Sequence, residues 1–230
     1  MYEISFLDLV WIFIPLGAVY YIYLKYTQDK VTIPYGLSRM FLQLIAIGYV
    51  LTYIFETKEF FFILFILSIM LVVASVISLR PVTKKDTKLY IISFISILMG
   101  GVTTLGFVIF GVLDLPLWYE PRFLIPLAGM IFANSMNSVS IAAERFSVEY
   151  ERDKNYKSAR ATAYKAALIP NINILFAVGV VSIPGMMTGQ ILSGISPLIA
   201  VKYQIMVMCM VLSSSGISSA VYLKLVEKRV

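Results

Sequence analysis

The chain has 230 residues, 60% of them hydrophobic and 14% charged, with a mean hydropathy of +0.86 and a formal net charge of +6. That balance excludes an ordinary soluble globular domain, and the surplus of Lys and Arg fits a basic face beside anionic lipid headgroups, with no nucleic acid as partner. The absence of histidine excludes His-dependent triads, proton relays and metal sites, and the single cysteine, Cys209, excludes an intramolecular disulfide.

Apolar runs lie near Leu7–Leu24, Leu37–Phe55, Phe60–Leu79, Leu89–Leu113, Phe123–Ala143, Ile172–Met187 and Pro197–Leu223. At about 20 residues per crossing they predict an all-α polytopic protein with seven transmembrane helices and one permease domain over 1–230. The first residues lack the positive n-region of a signal peptide, so run one is read as a retained span. Cations cluster in alternate gaps: Lys25, Lys30 and Arg39; Arg80, Lys84, Lys85 and Lys88; the Arg145–Lys165 stretch; and Lys224, Lys228 and Arg229. Only Lys58, Arg122 and Lys202 fall on the other side, which predicts the N-terminus outside and the C-terminus inside.

Runs three and four read as apolar scaffold, with Gly100, Gly101, Gly106 and Gly111 serving close helix packing. In run five Asn134 and Asn137 are three residues apart and share a helix face. Amides in hydrocarbon need partners, which leaves two readings, interhelical hydrogen bonds or the lining of a substrate path.

Between Glu144 and Pro170 the sequence holds strong helix formers and no glycine, so this long cytoplasmic loop between helices five and six is expected to be helical. Tyr156, Arg160, Ala163, Tyr164 and Ala167 follow helical spacing. The acids from Glu149 to Asp153 favour a docking surface for a soluble partner over a helix lying on headgroups. Pro170 would begin run six, with Asn171 and Asn173 as caps.

Pro184, Gly185, Gly189, Gly194 and Pro197 keep the stretch 184–197 from forming an ordinary span and place an irregular segment at the external mouth. It reads either as a tight connection or as a gate, with hinges at Pro170, Pro184, Gly185, Gly189 and Pro197 and with Met186, Met187, Thr188 and Gln190 facing a substrate. Run seven carries Ser214, Ser215, Ser218 and Ser219 around Gly216, a small-residue seam. Its Met206, Met208 and Met210 read as packing rather than as a metal site.

No G-x-x-x-x-G-K-[ST] motif is present, so ATP with its Mg would be bound by another chain. Acidic residues stay out of the span interiors, which argues against a carboxylate relay. No nucleophile–base pair is visible, so the chain is not expected to be an enzyme or to bind a cofactor or metal of its own.

Three blocks carry a family resemblance: LAGMIFANSMN at 127–137, ALIPNIN at 167–173 and VSIPGMMTGQILSGISPLIAVKYQI at 181–205. In order and spacing they resemble FetB-type permeases. The resemblance implies a multi-pass inner-membrane permease subunit of an ABC-type exporter, powered by a separate FetA-like ATPase. Bacterial members are linked to iron export and plant relatives to aluminium tolerance. It also implies that the segment 144–167 engages the ATPase, through Glu144, Arg145, Glu151, Tyr156, Arg160 and Tyr164. Two permease copies and two ATPases would form a two-fold assembly, with the permease as a homodimer. Asn134, Asn137, Met186, Met187, Thr188 and Gln190 are the expected substrate path. The membrane interior offers iron only amides, hydroxyls and thioethers, so a chelate or a small organic molecule is an equally open cargo. The alternative is a nucleotide-independent channel or secondary transporter.

Overall fold

The structure, a computed structural model, describes residues 5, 7–56 and 59–227. Lys58, Lys228 and Arg229 of the charge pattern, and the first four residues, lie outside the described residues. A 3-10 turn at Asp8–Ile12 leads into α1 (Phe13–Thr27), followed by α2 (Thr32–Glu56), α3 (Phe60–Ser78) and α4 (Thr87–Gly106). The end of α4 widens into a π-helical stretch, Phe107–Leu113, after which come α5 (Pro121–Asp153), α6 (Tyr156–Ala177), α7 (Gly185–Leu192) and α8 (Pro197–Glu227).

Among the described residues, six helices are long and apolar enough to cross a membrane: Asp8–Thr27, Thr32–Val50, Phe60–Ser78, Thr87–Leu113, Pro121–Asp153 and Pro197–Glu227. The expected seventh, Ile172–Met187, is not a helix of its own. Helix α6 begins sixteen residues before that run, passes through Pro170 and stops at Ala177. The chain then leaves helical geometry: Gly179 takes φ +84°, and its N–H donates to the Ser182 carbonyl at 2.9 Å. The Ala177 carbonyl gathers the N–H groups of Val180, Val181 and Ser182 at 3.3, 2.8 and 3.2 Å. Helix α7, at eight residues, is too short to span.

The long helical loop between helices five and six is corrected as well. Helix α5 is continuous to Asp153 and α6 starts at Tyr156, leaving Lys154 and Asn155 as the corner. Lys154 adopts the left-handed conformation (φ 52°) and its N–H closes α5 on the Tyr150 carbonyl at 3.0 Å; the Asn155 side chain then caps α6 by accepting the Ser158 N–H at 3.2 Å. An outside N-terminus with an inside C-terminus presumed an odd number of full spans, so that orientation loses its basis. The chain is a multi-pass, all-α membrane protein, consistent with a plasma or inner membrane location.

The chain divides into two compact units between α2 and α3. In the first, Phe13 stacks on Phe41 at 6.0 Å, joining α1 to α2. The turn between them is organised by Asp29, whose Oδ1 accepts the N–H groups of Val31 and Thr32 at 3.0 Å each, while the Tyr23 hydroxyl donates to Oδ2 at 3.1 Å. The Thr32 hydroxyl first, then these backbone donors, hold its carboxyl well below the usual carboxylate range.

In the second unit α8 packs along α4, α5 and α6. Close approach is set by small residues: a Cβ on Gly100 would collide with the Ser218 hydroxyl and lie 2.8 Å from the Ser214 carbonyl oxygen and 2.9 Å from the Ser218 nitrogen. Helices in lipid gain little from hydrophobic exclusion and rely on such tight packing and on hydrogen bonds. Ser78 and Ser93 share a 2.6 Å hydrogen bond between α3 and α4, and the Ser93 hydroxyl also reaches the Ser75 carbonyl at 3.2 Å. Along α8, Ser214, Ser215, Ser218 and Ser219 are all fully buried.

The two ends of this unit differ in charge. The turn around Val82–Lys84 meets Phe146, Tyr150, Tyr222 and Val226 at one end, which therefore also carries the α5–α6 corner and Lys224. Arg122 and Lys202 belong to the opposite end, where α5 and α8 begin.

Candidate functional site

Helices α5, α6 and α8 each bring one amide to a common cavity of about 260 Å³: Asn134, Asn171 and Gln204. Pro184, at the head of α7, closes one side, and Met130, Met186 and Met208 supply apolar wall. The Asn134 Nδ2 donates to the Met130 carbonyl, its own i−4 group, at 2.8 Å. Asn171 is buried and its Nδ2 sits 3.4 Å from the Ser138 hydroxyl oxygen. Gln204 is only 5% exposed, and its Oε1 has no hydrogen-bond partner.

A second chamber of about 340 Å³ adjoins the first, sharing Met130 and Met186 with it. Its polar groups are Arg122, Gln190 and Tyr203, and the Gln190 Oε1 is again buried without a partner. Two prolines flank this pair of chambers. Pro126 in α5 and Pro170 in α6 lie inside helices, where a missing N–H frees the carbonyl four residues earlier, here of Arg122 and Ala166.

Of the expected substrate-path residues, the chambers bring together Asn134, Met186 and Gln190. Met187 is half-buried and lines neither. Thr188 is exposed and its hydroxyl closes the first turn of α7 on the Pro184 carbonyl at 3.1 Å. Asn137 is exposed: α5 buries Ile131, Ser135, Ser138 and Val139, and this stripe rotates Asn137 outward although it lies only about 60° from Asn134 around the helix. Among the expected hinges, Pro170 sits inside α6 rather than at a helix start, Pro184 directly precedes α7, Gly185 and Gly189 lie within it, and Pro197 begins α8.

At the basic end, Glu144, Arg145, Glu151, Arg160 and Tyr164 are exposed. Tyr156 instead turns inward, its hydroxyl donating to the Leu223 carbonyl at 2.8 Å with the Arg160 guanidinium 5.4 Å above its ring. Burial comes first among the causes that push its phenol above the ordinary value of 10.0. Asp153 pairs with Arg152 at 2.9 Å, and the helix break separates it from Lys157. Glu149 is 5% exposed and held by Arg145 at 2.6 Å and Arg152 at 2.7 Å. Among the described residues no group of three or more His, Cys, Asp or Glu converges as a metal site.

A family profile described as "Uncharacterised protein family (UPF0014)" matches residues 5–230. The chain belongs to this family. Its similarity to the UPF0014 membrane protein slr1647 of Synechocystis is 32% identity over 94% of this chain and 90% of that protein. To the "Probable iron export permease protein FetB" of Escherichia coli it is 33% identical over 81% of this chain and 76% of that one. Against "Protein ALUMINUM SENSITIVE 3" of Arabidopsis thaliana the identity is 30%, over 80% and 72%. No solved structure matches.

For this UPF0014 chain, sequence reasoning missed three members of the paired chambers. Asn171 was expected to cap a helix, and Gln204 and Arg122 were not singled out. Their signal was present in principle: an amide and a cation next to prolines and at run ends become informative once α5, α6 and α8 are known to converge.

Proposed function

We propose that this UPF0014 protein is the membrane-spanning permease subunit of an ABC-type exporter, with ATP bound by a separate FetA-like subunit and a metal-related solute passing through the paired chambers. The observation that carries this reading is the convergence of Asn134, Asn171 and Gln204 from three helices on one cavity. A polar group in hydrocarbon costs several kcal/mol when left without a partner, so the unpartnered Gln204 Oε1, beside two further amides at one junction, favours a ligand path over simple packing. The similarity to a protein named as an iron export permease supports transport as the task.

The α5–α6 corner is the proposed ATPase contact. It is exposed, mixed in charge through Glu151, Arg152, Lys154 and Lys157, and lies at the end richest in cations, which favours the cytoplasm. Asn134 lies nineteen residues up α5 from Asp153, about 28 Å at 1.5 Å per residue. A displacement of the corner would travel along α5 and α6 as packed rods to Asn134 and Asn171, while Pro184 and α7 respond at the far side. Two permeases with two ATPases complete the proposed assembly.

The test is co-purification with the candidate ATPase and measurement of hydrolysis, comparing wild type with Glu151→Lys/Arg160→Glu. Binding and hydrolysis by wild type, both lost in the double variant, are expected. A wild-type protein that transports solute with no nucleotide and binds no ATPase would replace this reading with a channel or secondary transporter.

A further inference from the structure

Three buried hydroxyls face the contact between α5 and α8. Ser135, Ser215 and Ser219 are each 0% exposed, and none of their side-chain oxygens has a hydrogen-bond partner among the described residues. Their directions follow from their neighbours. On α5, Phe132 meets Gly101 of α4 and Ser138 reaches Asn171 of α6; Ser135 points about 60° from each, toward α8. On α8, Ser218 meets Gly100 of α4 and Gly216 faces the Tyr164 hydroxyl of α6. Ser215 and Ser219 fall between those two directions, toward α5. Gly100 and Gly101 are adjacent on α4, so the three serines also share a depth.

Serines that hold helices together look different in this structure. Ser78 and Ser93 bond each other across α3 and α4 at 2.6 Å, while Ser96, Ser147 and Ser214 turn back on carbonyls of their own helices at 2.6, 2.9 and 3.1 Å. A buried hydroxyl without a partner is costly, and parting α5 from α8 would remove that cost three times over by letting water in.

The seam also joins two places already described. Gln204, Val211 and Ser215 share one face of α8, eleven residues being about three turns, so the wall of the amide cavity continues into the seam. Toward the cation-rich end, Phe146 lies about three turns past Ser135 on the same face of α5 and meets the Tyr156 ring, whose hydroxyl is bonded to the Leu223 carbonyl.

Resting on the transport reading above, we propose that the α5–α8 contact is the shut inner half of the solute path. In the cycle it parts, and water and hydrated solute pass from the amide cavity between Ser135, Ser215 and Ser219 to the cation-rich end. The Tyr156–Leu223 hydrogen bond is the latch that closes it.

The test reads solvent access to single cysteines in a Cys209→Ser background, with the permease in phosphatidylcholine nanodiscs and 2-aminoethyl methanethiosulfonate as probe. Ser135→Cys, Ser215→Cys and Ser219→Cys are compared with Ser93→Cys, equally buried but between α3 and α4. In the permease alone, adding Tyr156→Phe should speed labelling of the three seam variants about five-fold, the shift in an equilibrium that one lost hydrogen bond supports, and leave Ser93→Cys unchanged. With the ATPase bound, ATP should open the seam without Tyr156→Phe. Thermal unfolding gives a second reading: Ser219→Ala should hold or raise Tm, whereas Ser93→Ala, which breaks two hydrogen bonds, should lower it by a few degrees. Seam variants labelled no faster than Ser93→Cys under every condition would overturn the proposal, as would a Ser219→Ala protein that melts as early as Ser93→Ala. A seam that opens with Tyr156→Phe in a permease that engages no ATPase would leave this inference standing and remove the ABC reading. A complex that hydrolyses ATP while the seam stays closed would do the reverse.

Discussion

The Tyr156 hydroxyl donates a 2.8 Å hydrogen bond to the carbonyl of Leu223, 67 residues away, and so fastens the first turn of α6 to the last turns of α8. Phe146 of α5 meets the same ring edge-on at 5.8 Å, which brings three helices to one side chain. Tyr156→Phe removes only the hydrogen bond and should cost about 0.5–1 kcal/mol, read as a fall in Tm of a few degrees. The phenol's pKa is raised in the folded state, so this contribution is complete below the ordinary value of 10.0 and is lost as pH rises through the raised one. The Tm gap between wild type and Tyr156→Phe should stay constant from neutral pH to about 10 and close above it. A gap that closes near neutral pH would contradict the assignment.

Glycines on α4 should divide sharply. Gly100→Ala forces a methyl against the backbone of Ser214 and Ser218, where nothing flexible can yield, and should destabilise by about 1–3 kcal/mol. Removing the hydroxyl as well, with Ser218→Ala, should not rescue it. Gly106→Ala meets nothing within 4 Å and should be neutral or up to about 1 kcal/mol stabilising through helix propensity. Thermal unfolding of the three variants in detergent checks both statements.

Glu149 predicts an asymmetry. Its arginine partners have side chains 45% and 65% exposed, whereas its own is 6% exposed. Arg145→Ala/Arg152→Ala strands a buried carboxylate and should cost about 2–4 kcal/mol. Glu149→Gln lets both guanidinium groups return to water and should cost less than half as much. Denaturation at low and high salt should show only a modest salt effect, since the pair is screened by burial on one side.

Side chains of the first chamber should separate from their neighbour on α5. Asn134→Leu, Asn171→Leu and Gln204→Leu should each reduce solute flux at least ten-fold while leaving the protein folded, and Asn137→Ala should leave flux within two-fold. Vesicle transport with each variant decides it. Equal loss from Asn137→Ala would mean that the outward face of α5 is the functional one.

The apolar helices were legible because hydrocarbon thickness imposes length and composition: runs one to five and the last run fall within about five residues of α1–α5 and α8 once the 3-10 turn before α1 and the π-helical stretch after α4 are included, apart from the polar extension of α5 to Asp153. The full course of helix α6 was not, for a physical reason. Its first half, expected to be helical but placed in a cytoplasmic loop, carries Lys157, Arg160 and Lys165 and buries only a narrow stripe of Ala159, Ala163 and Ala167 against its neighbours, so its composition does not join it to the apolar run that follows. Pro170 then suggests a boundary, although a helix packed on two others tolerates the lost hydrogen bond. Asn134 was legible as an amide out of place in hydrocarbon. Gln204 and Arg122 acquire meaning only through convergence, which periodicity along one helix cannot report.

The break after α6 satisfies its own N–H donors. With Ala177 accepting three N–H groups and Gly179 bonded to Ser182, the donors of the turn borrow nothing from solvent, although Val180 and Val181 are 90% and 80% exposed. Such a joint keeps the same donor bonds whether acyl chains or bulk water surround it. A transport cycle that alternately wets and dries this mouth would then meet little energetic resistance from the joint itself, and the cost of each crossing would fall on the side chains around the cargo.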